Sequence, residues 1–368
     1  MRTRIRASAL LLAVLAVLML IAAGCTTKTA EETGQTAQPA PSGQKTEGGP
    51  AVGTPKPEDL LPGGQGVKVA MIPKIKGIDY FNATQRGAEE AAKALGVELV
   101  FDGPMKSSVD EQIEMIDSFI TRKFDVIAVS PNDPDAVAPV LKRARDQGIH
   151  VITWDADANP QSSGREFFVD QASPESIGRT LVDVMAKEAG EDAKTVIVTG
   201  TLTAANQNEW MKWMKQRMKD KYPKMQILAT KPSEEDQQLA RQVTQDVLTA
   251  YDDLDGIFAI TSVAFPGAAT ALEKSGRGGK VALTGLSSPS TMRKWVENGT
   301  VKTVVLWNPV DLGYLTICTA KALGTGTLKP GATSLDAGRL GQKQVEGDEV
   351  LLGDPMLFTK ENIGQVDY

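Results

Sequence analysis

Histidine and cysteine are scarce in this chain of 368 residues, which has a single His, His150, and 2 Cys, Cys25 and Cys318. Serine, cysteine and zinc hydrolases mostly depend on histidine. One His at the start of a predicted strand does not supply those chemistries and reads as structural. Cys318 stands in an apolar helical pattern, 314–322, and reads as a small buried hydrophobe. A disulfide with Cys25 is the alternative, but Cys25 has another use described below. Excess positive charge is also lacking: 40 basic against 46 acidic residues give a net charge of -6. That balance gives no reason to expect nucleic acid as a partner. Aromatics make up only 5%, which suits an α/β protein with aliphatic strands. Phosphate-binding loops are missing. A dinucleotide fingerprint must follow the first strand, yet Gly63-Gly64-Gln65-Gly66 precedes it and only Gly77 comes after. The Gly-rich stretch 276–280 also lies before a strand and reads as a surface turn. No nucleotide cofactor, metal or catalytic group is expected.

Long apolar runs are confined to the start. Arg2, Arg4 and Arg6 precede an apolar run from Ala9 to Ala23, roughly fifteen residues, the length of a signal-peptide core and short for a membrane span. It ends in Ile21-Ala22-Ala23-Gly24-Cys25, which looks like a bacterial lipobox, with Cys25 the lipidated new N-terminus. An uncleaved anchor is the alternative. Residues 1–25 are thus expected to be a lipoprotein signal peptide. Residues 26–66, rich in Thr, Gly, Pro, Gln, Glu and Lys, are expected to be a disordered tether. At about 5–6 Å × √n it reaches a few tens of Å from the bilayer.

The remainder is too long for one ordinary core and suggests two domains. β-branched and aliphatic runs predict strands at 67–72, 97–101, 126–129 and 165–169, and in the stretch 151–157, which stops at its acids, with helices at 87–95, 109–122 and 134–146 between them. The order repeats. Helices are expected at 174–188, 208–220, 239–251, 264–274 and 289–298, and strands at 195–198, 225–229, 256–260, 281–284 and 301–307. Helices alternating with short apolar strands build parallel sheets. Two such lobes in tandem leave a cleft between facing strand ends.

In open parallel sheets ligands bind beyond the carboxyl ends of the strands. The stretch Val151-Ile152-Thr153-Trp154-Asp155-Ala156-Asp157 ends in two such acids. Ionised carboxylates only accept hydrogen bonds, and several at once, so Asp155 and Asp157 suit a ligand rich in hydroxyls. The blander reading is that they start the next turn. Other strand ends carry Lys74 with Tyr80 and Phe81, Asn206 with Gln207, Ser262, Ser287, and Asn308 with Asp311. Donors, acceptors and flat rings converging on one cleft fit a neutral polyol, an aromatic face covering its C–H side. Trp210 and Trp213 share a helix face, usually a packing pattern, although Trp210 is placed to cap a ligand. The charged stretch 231–236 reads as a solvated turn. A Lys74/Asp155 pair could do Schiff-base chemistry, but the lobed cleft favours binding over catalysis.

The segments Ile72-Pro73-Lys74, Phe101-Asp102-Gly103-Pro104, Thr153-Trp154-Asp155-Ala156-Asp157, Asn206-Gln207-Asn208, Ala282-Leu283-Thr284-Gly285-Leu286 and Leu306-Trp307-Asn308-Pro309 carry a resemblance. So do Val350-Leu351-Leu352-Gly353 and Phe358-Thr359-Lys360-Glu361-Asn362-Ile363. Over residues 67–368 the chain resembles type I periplasmic sugar-binding proteins of ABC importers, and within them the rhamnose-binding and autoinducer-2-binding branch. The resemblance implies two Rossmann-like lobes joined by a three-segment hinge, with crossings near Gln171, Asn308 and Arg339. The N-terminal lobe would be 67–171 plus 309–339, and the C-terminal lobe 172–308 plus 340–368. It also implies hinge closure over ligand. The autoinducer-2 pattern wants a Lys, two Asp, a Gln, a Pro and an Ala. Lys74, Asp155 and Gln207 match it, while Asn206, Ile260 and Ser262 depart. A 6-deoxyhexose such as rhamnose is therefore preferred, with autoinducer-2 as the alternative and pentoses also open. The implied protein is an exported, lipid-anchored monomer of the cell envelope, working with an ABC permease and its ATPase. A signalling receptor for the same ligands is a rival reading. A sugar-responsive repressor would need a basic helix-turn-helix where this chain has a leader and tether.

Overall fold

A computed structural model describes residues 66–368. The leader, Cys25 and all but the last residue of the 26–66 tether lie outside them. Among the described residues no helix is long and apolar enough to cross a membrane.

The chain alternates strand and helix as the apolar pattern predicts. The first series is β1 (Lys68–Ile72), α1 (Asp79–Leu95), β2 (Glu98–Phe101), α2 (Val109–Thr121), β3 (Val126–Val129), α3 (Pro134–Asp146), β4 (His150–Trp154), α4 (Pro160–Ser163) and β5 (Phe167–Asp170). The second is α5 (Pro174–Ala189), β6 (Lys194–Thr199), α6 (Ala205–Lys221), β7 (Gln226–Pro232), α7 (Gln237–Ala250), β8 (Gly256–Ala259), α8 (Ala264–Ser275), β9 (Ala282–Leu286), α9 (Pro289–Glu297) and β10 (Val304–Leu306). Then come α10 (Pro309–Gly324), β11 (Ser334–Asp336), β12 (Gln342–Glu346), β13 (Glu349–Leu351) and β14 (Met356–Phe358).

Two sheets result. The first runs β11-β12-β13-β5-β4-β3-β1-β2 and the second β14-β10-β9-β8-β6-β7. The strands β1 to β5 are mutually parallel, as are β6 to β10. Central strands such as Val-Ile-Ala-Val in β3 are buried throughout, as a parallel sheet covered on both faces requires. Helix starts are locally encoded. Asp133 caps α3 through Asp135 and Ala136 N–H, followed by Pro134 in the first turn. Gly96 closes α1 at φ 66°.

In both sheets the strand order reverses beside the first strand of the series, β1 in one and β6 in the other. This is the switch point at which doubly wound sheets hold ligands. It places the loops after β1, β3 and β4 opposite those after β6 and β8.

The expected boundaries need one correction. The chain passes between sheets after β5, near Gln171, and again between β10 and α10, near Asn308. The third passage is not near Arg339. β12 and β13 extend the first sheet, with β13 parallel to β5 from Glu349↔Phe168 to Leu351↔Asp170. Only β14 joins the second, antiparallel to β10. The passage therefore lies between Leu351 and Met356. The helix α1 also begins earlier than predicted, at Asp79 rather than Gly87, and so carries Tyr80 and Phe81 in its first turn.

After the second passage α10 returns to lie against α1. The two backbones are too close for side chains at the crossing. A Cβ on Gly87 would fall 1.8 Å from the Val310 carbonyl oxygen, and one on Gly313 1.9 Å from that of Thr84. Glycine is required at both places.

Candidate functional site

Asp155 follows β4 with φ 63°, a left-handed backbone that Asp tolerates better than most residues. The turn aims its carboxylate into the cleft, where it is 4% exposed. The Tyr80 hydroxyl donates to Oδ1 at 2.8 Å and the Ser130 hydroxyl to Oδ2 at 2.8 Å. Lys74 Nζ lies 3.9 Å from Oδ2. Trp307 Nε1 donates to the Tyr80 oxygen at 2.9 Å, so indole, phenol and carboxylate form a chain. Burial, and then the adjacent Asp155 charge, push the Tyr80 pKa well above its ordinary value. Tyr80 therefore remains a hydrogen-bond donor, and Asp155 keeps lone pairs for a ligand.

The second lobe supplies an amide pair at the start of α6. Asn206 Oδ1 accepts from Lys74 Nζ at 3.1 Å, and its Nδ2 donates to the Asp155 carbonyl oxygen at 3.3 Å. These bonds join the lobes directly. Gln207 Oε1 accepts from the Thr199 hydroxyl at 2.5 Å and the Gly200 N–H at 2.7 Å, and its Nε2 donates to Glu235 Oε1 at 2.9 Å. One turn on, the Trp210 ring approaches that of Trp307 with centroids 5.9 Å apart. Tyr80 meets Trp307 edge-on at 6.0 Å and Phe81 at 5.0 Å. The space they surround, counted together with its solvent-open mouth, is about 480 Å³.

Lys74, Tyr80, Phe81, Asp155, Asn206, Gln207, Trp210 and Ser262 thus line one cavity. The other expected residues are occupied elsewhere. Asp157 is held by the Arg165 guanidinium, at 2.9 Å from Nε and 2.6 Å from a terminal nitrogen, and by the Thr153 hydroxyl. It is a structural ion pair behind the loop. Asn308 caps α10 by accepting from Val310 and Asp311 N–H at 3.0 and 3.3 Å. Asp311 pairs with Arg339 at 2.6 Å. Ser287 donates to the Ser262 carbonyl at 3.1 Å and lines an adjoining recess with Asp79 and Thr291.

Sequence reasoning missed Glu235, which was read as part of a solvated turn, and left Ser130 and Trp307 out of the site. Ser130 stands at the end of β3, so the strand-end rule could have found it. Trp307 follows β10 and could have been found likewise. For Glu235 the sequence carries no signal, because its placement depends on a turn held by β6.

A family model described as a periplasmic binding protein domain matches residues 69–328. A solved sugar ABC transporter structure from Actinomyces odontolyticus is 34% identical, covering 82% of this chain and 97% of that one, with a TM-score of 0.66. A solute-binding protein of Clostridium phytofermentas with bound L-rhamnose is 30% identical, over 82% of this chain and 98% of that one, with a TM-score of 0.76. LsrB of Clostridium saccharobutylicum, solved in complex with AI-2, is 28% identical over 82% of this chain and 100% of that one, with a TM-score of 0.78. These relatives bind small solutes or belong to a sugar transporter. Two doubly wound sheets facing across that cleft, together with a family match over most of its length, make this chain a member of the periplasmic binding protein family.

Proposed function

We propose that the protein is the substrate-binding component of a sugar ABC importer and that it closes its lobes on a monosaccharide, a 6-deoxyhexose such as rhamnose being favoured. The observation that carries this reading is the Asp155 carboxylate. It sits between Lys74 and Tyr80 in a cavity whose opposite wall is the Asn206–Gln207 amide pair. Carboxylate and amides take hydroxyls pairwise, and the buried faces of Trp210 and Trp307 offer apolar cover to ring C–H bonds. Relatives that bind L-rhamnose and AI-2 support a small polyol as ligand.

Autoinducer-2 is the second reading, favoured by the gathering of Lys74, Asp155 and Gln207 on one cavity. A thermal-shift panel separates the two. At a hundred times its Kd a ligand stabilises by about 2.7 kcal/mol, so rhamnose should raise the melting temperature clearly and ribose and autoinducer-2 less. A panel in which no monosaccharide shifts the transition would overturn the assignment.

The same reading places the protein outside the cytoplasmic membrane, held through a lipidated Cys25 and delivering its sugar to a permease. Labelled palmitate should enter the wild-type protein and not Cys25→Ser. Equal labelling of both would remove the anchor.

A further inference from the structure

The turn after β7 contributes a cavity group in an unusual way. Glu234 and Glu235 have φ of 51° and 52°, a conformation disfavoured for any residue with a Cβ. Bonds to β6 and the residue after it hold the turn: Ser233 N–H donates to the Thr199 carbonyl at 2.8 Å and Glu234 N–H to that of Gly200 at 3.0 Å. Opposite stands Gly200, where a Cβ would fall 2.0 Å from Glu235 Oε1. The carboxylate therefore occupies the space that a side chain at position 200 would fill. Both acceptor sites of the Gln207 oxygen are taken by Thr199 and Gly200, which fixes its amide nitrogen toward Glu235. Strain, a missing side chain and an oriented amide have one common outcome, a half-buried carboxylate on the cavity wall.

Among the cavity's lining residues the charged ones are Lys74, Asp155 and Glu235, one cation against two anions. Charges act more strongly across such a desolvated cleft than in bulk water. We propose that Glu235 is a ligand-binding residue that selects sugars by charge, admitting neutral and amino-bearing polyols and excluding those that carry a carboxylate or phosphate. This rests on the sugar-binding reading of the cleft and adds to it the charge class of the ligand.

Calorimetry on matched sets tests it: D-galactose, D-galactosamine and D-galacturonate, and the corresponding D-glucose set, with L-rhamnose as neutral reference. In wild-type protein the amino sugar should bind at least as tightly as its neutral parent and the uronate about tenfold more weakly or worse. Glu235→Gln should weaken the amino sugar relative to its neutral parent and shrink the deficit of the uronate by about tenfold. Gly200→Ala, which displaces the carboxylate without removing it, should do the same. If Glu235→Gln leaves the three affinities unchanged or lowers them by one common factor, charge selection is wrong, while neutral-sugar binding by the wild type still supports the receptor reading. If the wild type binds none of these sugars, both readings fall together.

Discussion

Replacing Asp155 by Asn is the most direct test of how the cleft grips its ligand. The substitution preserves shape and tolerates the φ of 63°, as Ala would not without added strain. It removes the charge facing Lys74 and turns one acceptor oxygen into a donor. The Tyr80 and Ser130 hydroxyls, each 2.8 Å from a different carboxylate oxygen, then cannot both donate. Hydrogen bonds to charged groups contribute about 1.5–3 kcal/mol each. Loss of one such bond to a ligand hydroxyl corresponds to a roughly ten- to hundredfold rise in Kd. Stability should fall less, because Lys74 keeps Asn206 as acceptor at 3.1 Å and the hydroxyls can rotate. Titration calorimetry with the best sugar of the panel gives the first quantity, and thermal unfolding of the unliganded protein gives the second. A Kd within twofold of wild type, with the fold intact, would refute the claim that this carboxylate holds the ligand.

Two further outcomes follow from groups away from the ligand. Asp170, 2% exposed, has one carboxylate oxygen without a partner. Burial, and then the Glu349 charge, raise its pKa well above the ordinary carboxylate value. The folded state therefore binds this proton more tightly than the unfolded one. The resulting stability is complete below the unfolded pKa and is lost as pH climbs toward the folded pKa. Asp170→Asn should accordingly stabilise the protein at neutral pH, by an increment that vanishes toward acid; a difference in melting temperature that is constant with pH would contradict this. Gly313→Ala puts a methyl 1.9 Å from the Thr84 carbonyl oxygen, which only separation of α1 and α10 can relieve. Overpacking of this kind costs about 1–3 kcal/mol, and denaturant unfolding with an unchanged midpoint would dismiss the close approach.

Much of the molecule was legible because apolar strands and amphipathic helices alternate with clear punctuation. Val126–Val129 stands as a continuous apolar run and Val151–Thr153 as a β-branched one, with Gly, Asp and Asn as punctuation. The cavity-lining residues at strand ends followed from that order. What failed was tertiary in origin. β12 reads Gln-Lys-Gln-Val-Glu with one buried residue, so nothing local marks it as an extension of the first sheet. Asp157 and Asp155 are chemically alike and two residues apart. Only the arrival of Arg165 separates the structural acid from the cavity-facing one. Glu235 depends on Gly200, some distance back along the chain, and on a turn whose φ values oppose its residue types.

The seating of α10 on α1 also bears on the indoles. Trp307 stands between β10 of the second lobe and α10 of the first, and its indole is bonded to Tyr80 in the first turn of α1. Trp210 rides on α6 of the second lobe. Parting of the lobes must therefore either break the Trp307–Tyr80 bond or pull apart two chromophores now 5.9 Å from centre to centre. Each event changes the surroundings of an indole, so the molecule carries its own optical gauge of opening, readable in near-ultraviolet dichroism without a label.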